Sequence, residues 1–387
     1  MSEYQYYEFQ AVDRPLGAAD RQALRALPTR ARITATSFTN HYNWGDFKGD
    51  PAELMERWFD LHLYLANWGT RRLMIRWPKR LVDRARLAGF LCKVACAELR
   101  VTGDNLILDI ERDLELEDLD LEYREWGGEE EEGSGWLAAL APLRADVLQG
   151  DLRLFYLLWL TAVEEDELAP DDKEPMPGIG PLTAPLEAFA DFFALDPDLV
   201  QAAAERSAVA AAKAISADAV RGAVAALSDR DKTAMLVRLY EGDPHVAIEL
   251  RAAVRKHLMP DAAAPPAALR TVGELQARAE AIRGARERAE AEKAEAERRR
   301  QREEAEKARR ARLAEVARKG EQVWNKIESE IERRNAGGYD RAAGLIQDLR
   351  MLAEEHGTMP DFARRLQAIR ERHARKERFI ARLAGME

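Results

Sequence analysis

Cysteine is almost missing from this 387-residue chain: only Cys92 and Cys96 are present. Two thiols exclude a disulfide framework and any metal site that needs four thiolates from one chain. They fit a compartment where thiols stay reduced, so a cytoplasmic location is expected. No apolar run approaches the roughly 18 residues that a membrane span needs. The opening MSEYQYYEFQ has neither a basic n-region nor an apolar h-region, so no secretory leader and no membrane partner are expected. Signatures of chemistry are missing too. There is no phosphate loop of the GxxxxGK[ST] type, no GxGxxG after a strand, no HExxH and no GxSxG. The nearest glycine cluster, Pro177-Gly178-Ile179-Gly180-Pro181, is broken by prolines and lacks a Lys or Ser/Thr partner, so it reads as a turn. No catalytic residue, metal ligand or cofactor is assigned.

What is present is an apolar core supply beside a heavily charged remainder. Hydrophobic residues make up 47% and charged residues 33%, and the length suits two or three domains. Lys and Arg total 59 against 69 Asp and Glu, a formal charge of -10. That excludes a protein that coats nucleic acid over its whole surface, but leaves room for a local basic patch.

The expected fold class is mainly α with an N-terminal α+β domain over residues 1–126. Residues 4–12 read as a strand, 20–27 as a short helix stopped before Pro28, and 32–39 as one alternating strand. Asp50-Pro51 has the form of an N-cap and N1 proline opening a helix. Residues 61–68 and 71–77 flank Gly69-Thr70 as a hairpin, and 97–102 and 106–112 flank Gly103-Asp104-Asn105 as another. Residues 79–94 space their apolar side chains as one helix. Cys92 and Cys96 would then share a helix face, as two buried structural thiols rather than metal ligands. Helices are expected on one face of a mainly antiparallel sheet. The acidic stretch 111–135 ends in EWGGEEEEGSG, and 127–135 reads as a solvated linker, with a further strand possible in 119–126.

Residues 136–258 read as a helical region. Leu154, Phe155, Leu157, Leu158 and Leu160 make one helix apolar nearly all round, hence buried. Pro170 to Pro185 is a loop, and 259–270 a Pro/Ala linker. A long charged helix follows over 271–319. Its middle, residues 286–312, contains no Leu, Ile, Val, Phe or Met. A coiled coil needs large apolar residues at its seam, so this helix is expected to stand alone. Acid-first pairs at i, i+4 (Glu295–Arg299, Glu303–Lys307, Glu306–Arg310) add about 0.2–0.5 kcal/mol each. Forty such residues would extend about 60 Å. The competing reading is a partly disordered charged linker. Residues 320–387 carry three apolar stripes, separated by a turn at Gly337-Gly338 and by Gly357, and read as a three-helix bundle.

Two segments are candidate binding surfaces. Residues 40–80 gather Trp44, Trp68 and Trp77 with Arg71, Arg72, Arg76 and Arg80, beside His41, Tyr42 and His62. Aromatic rings with guanidinium groups are what single-stranded nucleic acid recognition uses. The same residues also suit a domain core with arginines snorkelling at its edge. The second segment, 364–382, offers Arg370, Arg372 and Arg375 to phosphates, or else forms a solvated helix face.

YYEFQAVDRPL, RARITATSFTNHYNWGDFKGDP and LANWGTRRLM, with GDLRLFYLLWL and GIGPLTAPLEAFADFF, resemble a family of uncharacterised bacterial hypothetical proteins over about the first 200 residues. That resemblance implies no activity. YDRAAGLIQDLRMLAEEHG through HARKERFIARL is similar to helical tails of bacterial SWIM zinc-finger proteins. The CxC and CxH of that zinc motif are absent here, so a shared partner or genomic setting is implied, and zinc binding is not. The reading that results is a non-catalytic cytoplasmic interaction protein that bridges partners through its α+β domain and its C-terminal bundle. The alternative is a nucleic-acid-associated protein of genome maintenance or defence.

Overall fold

The computed structural model describes residues 4–27, 30–114, 133–207, 216–258 and 268–384. The strand suggested in 119–126, most of the acidic stretch and most of the Pro/Ala linker lie outside the described residues. The chain is mainly α with an N-terminal α+β region, and it divides into two units, Met1–Ala285 and Arg286–Glu387.

The first unit is built on seven strands: β1 (Gln5–Gln10), β2 (Arg32–Ile33), β3 (Ser37–Tyr42), β4 (Leu61–Ala66), β5 (Thr70–Pro78), β6 (Ala97–Thr102) and β7 (Asn105–Asp113). All pair antiparallel, in the order β2-β3-β1-β4-β5-β7-β6. Both expected hairpins are present. The first turns at Gly69, whose φ of +113° and approach to the Leu114 carbonyl leave no room for a Cβ. The single strand expected over 32–39 is a correction: the chain folds back on itself. The Thr34 hydroxyl accepts from the Thr36 and Ser37 amides, which closes a tight turn between β2 and β3.

Register decides what covers the sheet. Leu61, Leu63 and Leu65 of β4 share a face with Leu73, Ile75 and Trp77 of β5 and with Leu106, Leu108 and Ile110 of β7. Short helices α3 (Arg84–Phe90), α4 (Trp136–Leu140) and α5 (Pro142–Leu148), with the buried helix α6 (Arg153–Glu164), join those residues in one core. Every residue of α6 from Arg153 to Val163 is buried, as its apolar composition requires. The opposite face is covered as well, over β1, β3 and β5. There Phe9, Phe38 and Met74 pack with Leu24 of α1 (Ala18–Arg25) and with Leu54 and Met55 of α2 (Pro51–Arg57). Helices on one face only was therefore wrong, because Phe9 and Phe38 put a second apolar surface on the outer half of the sheet.

The helix expected over 79–94 is also corrected. Val82 is extended, and the Asp83 carboxylate accepts from the Ala85 and Arg86 amides, which restarts the chain as α3. Beyond Phe90 the helix ends, so Cys92 and Cys96 share no helix face. Cys92 is exposed and only Cys96 is partly buried, where its Sγ lies 3.3 Å from the Thr161 hydroxyl.

Helices α7 (Ala184–Phe192) and α8 (Pro197–Ala204) complete the main core, and α9 (Ala217–Ala226), α10 (Asp229–Tyr240) and α11 (Val246–Leu258) form an outer group. Ser228 caps α10 through the Asp231 amide. Helix α12 (Val272–Lys319) runs unbroken from the first unit into the second. Val272, Leu275, Ala279 and Ile282 at its start belong to the first core. Its entrance is latched by a buried cluster. Arg270 pairs with Glu174 at 2.9 Å and donates to the Ala202 carbonyl, while Tyr156 donates to Glu174 at 2.6 Å.

In the second unit, α13 (Glu321–Glu332), α14 (Ala336–His356) and α15 (Met359–Arg372) bury the three expected stripes against one another. Leu313 and Val316, from the last turns of α12, enter the same core. The turn before α14 falls at Arg334 and Asn335, not at Gly337-Gly338. Asn335 caps the Gly338 amide, and Gly338 is needed because a Cβ there would meet the Glu330 carbonyl at 2.5 Å. Beyond α15 the chain turns at His373, and Phe379 of α16 (Glu377–Ile380) and Leu383 close the core.

Candidate functional site

Period-two geometry scatters the arginine cluster of residues 71–80. Arg71 faces the helices and is buried, its guanidinium 5.5 Å from the Phe192 ring. Arg72, one residue on, faces the other way and forms a two-point contact with Asp109 at 2.8 and 2.7 Å. Arg76 pairs with buried Asp60 at 2.9 Å and donates to the Met55 carbonyl. Burial by itself would raise the Asp60 carboxyl. Arg76, Arg144 and the Val12 and Asp13 amides overcome that and hold it below the usual carboxylate range. Arg80 reaches Asp243 and Glu249. Trp77 is fully buried and donates to the Arg144 carbonyl, while Trp68 is partly exposed and donates to Thr70. Arg71 is buried and Arg72, Arg76 and Arg80 are paired with carboxylates, so the cluster does not form one basic surface. Asp46 and Arg71 belong to opposite faces of the sheet, since Asp46 accepts from Gln5 on the α2 side. Among the described residues no group of His, Cys, Asp and Glu is placed to hold a metal ion.

Trp44 is placed differently. It sits on the loop after β3 with 81% of its surface exposed. Gln5 donates to the Gly45 carbonyl and to Asp46, and Phe47 is buried two residues later. The loop is thus pinned beneath an indole that faces water. Trp44 lines a cleft of about 1210 Å³ at the β1–β3–β2 edge of the sheet, with Arg30, Arg32, His41 and Tyr42. Thr34, Ser37 and Thr39 add hydroxyls, and Tyr6 and Glu8 form part of its floor. Burial pushes the Glu8 carboxyl up, and the Tyr6 hydroxyl donating to it at 3.0 Å draws it partly back. Cations, stacking surfaces and hydroxyls in one open cleft can bind an anionic partner carrying planar groups. Arg30 and Arg32 escaped the sequence reading, although the RAR that flanks an alternating strand is the signal that marks them.

In the second unit, Arg370 donates to the Leu383 carbonyl and Arg372 pairs with Glu328. Arg375 lines a separate cleft. No family model, curated protein or solved structure matches this chain.

Proposed function

We propose that this protein is a non-catalytic adaptor whose two units engage different partners. The observation that carries the reading is α12. Its first turns are built into one hydrophobic core and its last turns into another, while every residue from Arg286 to Arg312 is exposed. A helix polar all round is not selected by packing along that stretch, so what it contributes is connection. The Trp44 cleft is the partner surface of the first unit in this reading, and an exposed tryptophan with neighbouring arginines is the composition of a protein-binding hot spot.

The test is recovery of tagged full-length protein from its host, with and without nuclease, beside a Trp44→Ala, Arg32→Glu variant. The adaptor reading expects a defined protein set that survives nuclease, from which the variant loses one subset and keeps another. Recovery no different from the tag alone would overturn it.

A second reading has its own observation. The Trp44 cleft combines cations, aromatic faces and hydroxyls as single-stranded nucleic acid sites do. It expects recovery to collapse on nuclease treatment and affinity to fall steeply with salt.

A further inference from the structure

The basic residues of the second unit fall into two populations. Arg370 and Arg372 are tied to their own chain, through the Leu383 carbonyl and Glu328. Arg334, Arg375 and Arg378 are not: among the described residues, no carboxylate lies within ion-pairing distance of them. These three line one cleft of about 640 Å³ together with Lys376 and Arg382. Its single acidic lining residue is Glu377.

Five cations gathered in one cleft repel one another, and the protein supplies too little negative charge to offset them. One feature adds to the positive potential. Asn335 and Ala336, at the start of the 21-residue helix α14, also line the cleft, so the positive end of that helix opens onto it. Arg382 is held in place by Asp340 and lies 5.9 Å from the Tyr339 ring, and it donates to the Arg378 carbonyl. Lys376 is anchored through the Ile331 carbonyl. The site is therefore fixed at two points and charged at all five.

We propose that this cleft binds a small anion carrying two or more phosphate groups. The volume falls within the range of small-molecule sites, roughly 300–1,000 Å³. Guanidinium groups suit phosphate oxygens because they donate two parallel hydrogen bonds. Two observations favour a compact ligand over a nucleic acid strand. Arg370 and Arg372, the basic residues in the last turn of α15 before the cleft, are already committed. The only aromatic in the lining, Tyr339, is buried beneath Arg382, which leaves no platform for a base. This inference is independent of the adaptor reading and goes beyond it.

The experiment is calorimetric titration of the full-length protein with inorganic tripolyphosphate, with orthophosphate and a short oligothymidylate as comparators. Tripolyphosphate binds at least about tenfold more tightly than orthophosphate, because it spans several cations. The double variant Arg375→Gln, Arg378→Gln weakens it about tenfold or more, at the scale of one lost charge-assisted contact. Arg364→Gln, a matched change outside the cleft, alters it less than about twofold. Arg334→Gly gives a second route: Arg334 sits at φ +52°, so glycine removes a cation while relieving backbone strain. It weakens binding without lowering thermal stability. Absence of tripolyphosphate binding at millimolar concentration overturns the proposal, as does equal weakening by Arg364→Gln. Tighter binding of oligothymidylate through the same arginines overturns it in favour of a nucleic acid strand.

Discussion

His62 lies flat against Phe9, with ring centroids 3.9 Å apart, and is fully buried. Its Nδ1 is 3.0 Å from the Glu8 carbonyl, and its Nε2 finds no partner among the described residues. Burial, with the Arg72 guanidinium adding to it, pushes its pKa down to about 3. The unfolded chain takes a proton near pH 6.5 that the folded chain refuses. Stability contributed by neutral His62 is therefore complete above pH 6.5 and is lost as pH falls toward 3, by about 2 kcal/mol at pH 5. Urea denaturation at pH 7.5 and 5 is expected to show that loss in the wild-type protein and a smaller one in His62→Phe. Glu174 gives a second prediction at this scale. It neutralises buried Arg270 and accepts from Tyr156. Glu174→Gln leaves a buried guanidinium without its charge, at a cost of about 3–5 kcal/mol. A drop in the unfolding midpoint of the first unit checks it; an unchanged midpoint would remove the latch from the account of how α12 begins. Which arginines stay free was partly legible at this scale. Alternation along β5 already separates Arg71 from Arg72 and Arg76. That Arg72 meets Asp109 and Arg76 meets Asp60 depends on strand pairing, which no local pattern specifies.

Among the elements, α12 was read well from its sequence, because helix propensity and the absence of large apolar residues are local properties. Its ion pairs were read less well. Glu306–Arg310 forms, but Arg299 pairs forward with Glu303, and Arg300 with Glu304. Exposed side chains choose among neighbours that differ by a few tenths of a kcal/mol, so composition sets the number of pairs and not their direction. Ala294→Pro removes a backbone hydrogen bond in the exposed stretch at a cost of about 3 kcal/mol. Far-UV circular dichroism is expected to lose helical signal, while tryptophan fluorescence, to which the first unit contributes seven of the eight tryptophans, keeps its main unfolding midpoint. A shifted midpoint would mean that the middle of α12 supports more than the connection. Helix α10 is the exception among the helices. None of its residues is buried, and Leu236, Val237, Leu239 and Tyr240 face solvent.

For the whole molecule, two units with separate hydrophobic cores, joined by a helix with no apolar middle, predict two cooperative unfolding steps. Calorimetry is expected to show two transitions. Leu366→Ala, which opens a cavity in the second core at about 2–5 kcal/mol, is expected to lower only one of them. A single transition that moves as one would contradict two separate cores. No helix among the described residues is long and apolar enough to cross a membrane. The sequence by itself determined the hairpins, the buried helix α6, the long charged helix and the three C-terminal stripes, because periodicity, turn chemistry and helix caps act over a few residues. Tertiary structure alone decided that a second set of helices covers the sheet, that α12 enters two cores, and that Arg72, Arg76 and Arg80 are spent on carboxylates and carbonyls. It also gathered Arg30, Arg32 and Trp44 at one edge, and Arg334, Arg375 and Arg378 in one cleft. Those groupings join residues that lie a dozen or more positions apart, and only chain folding sets which charges neutralise one another.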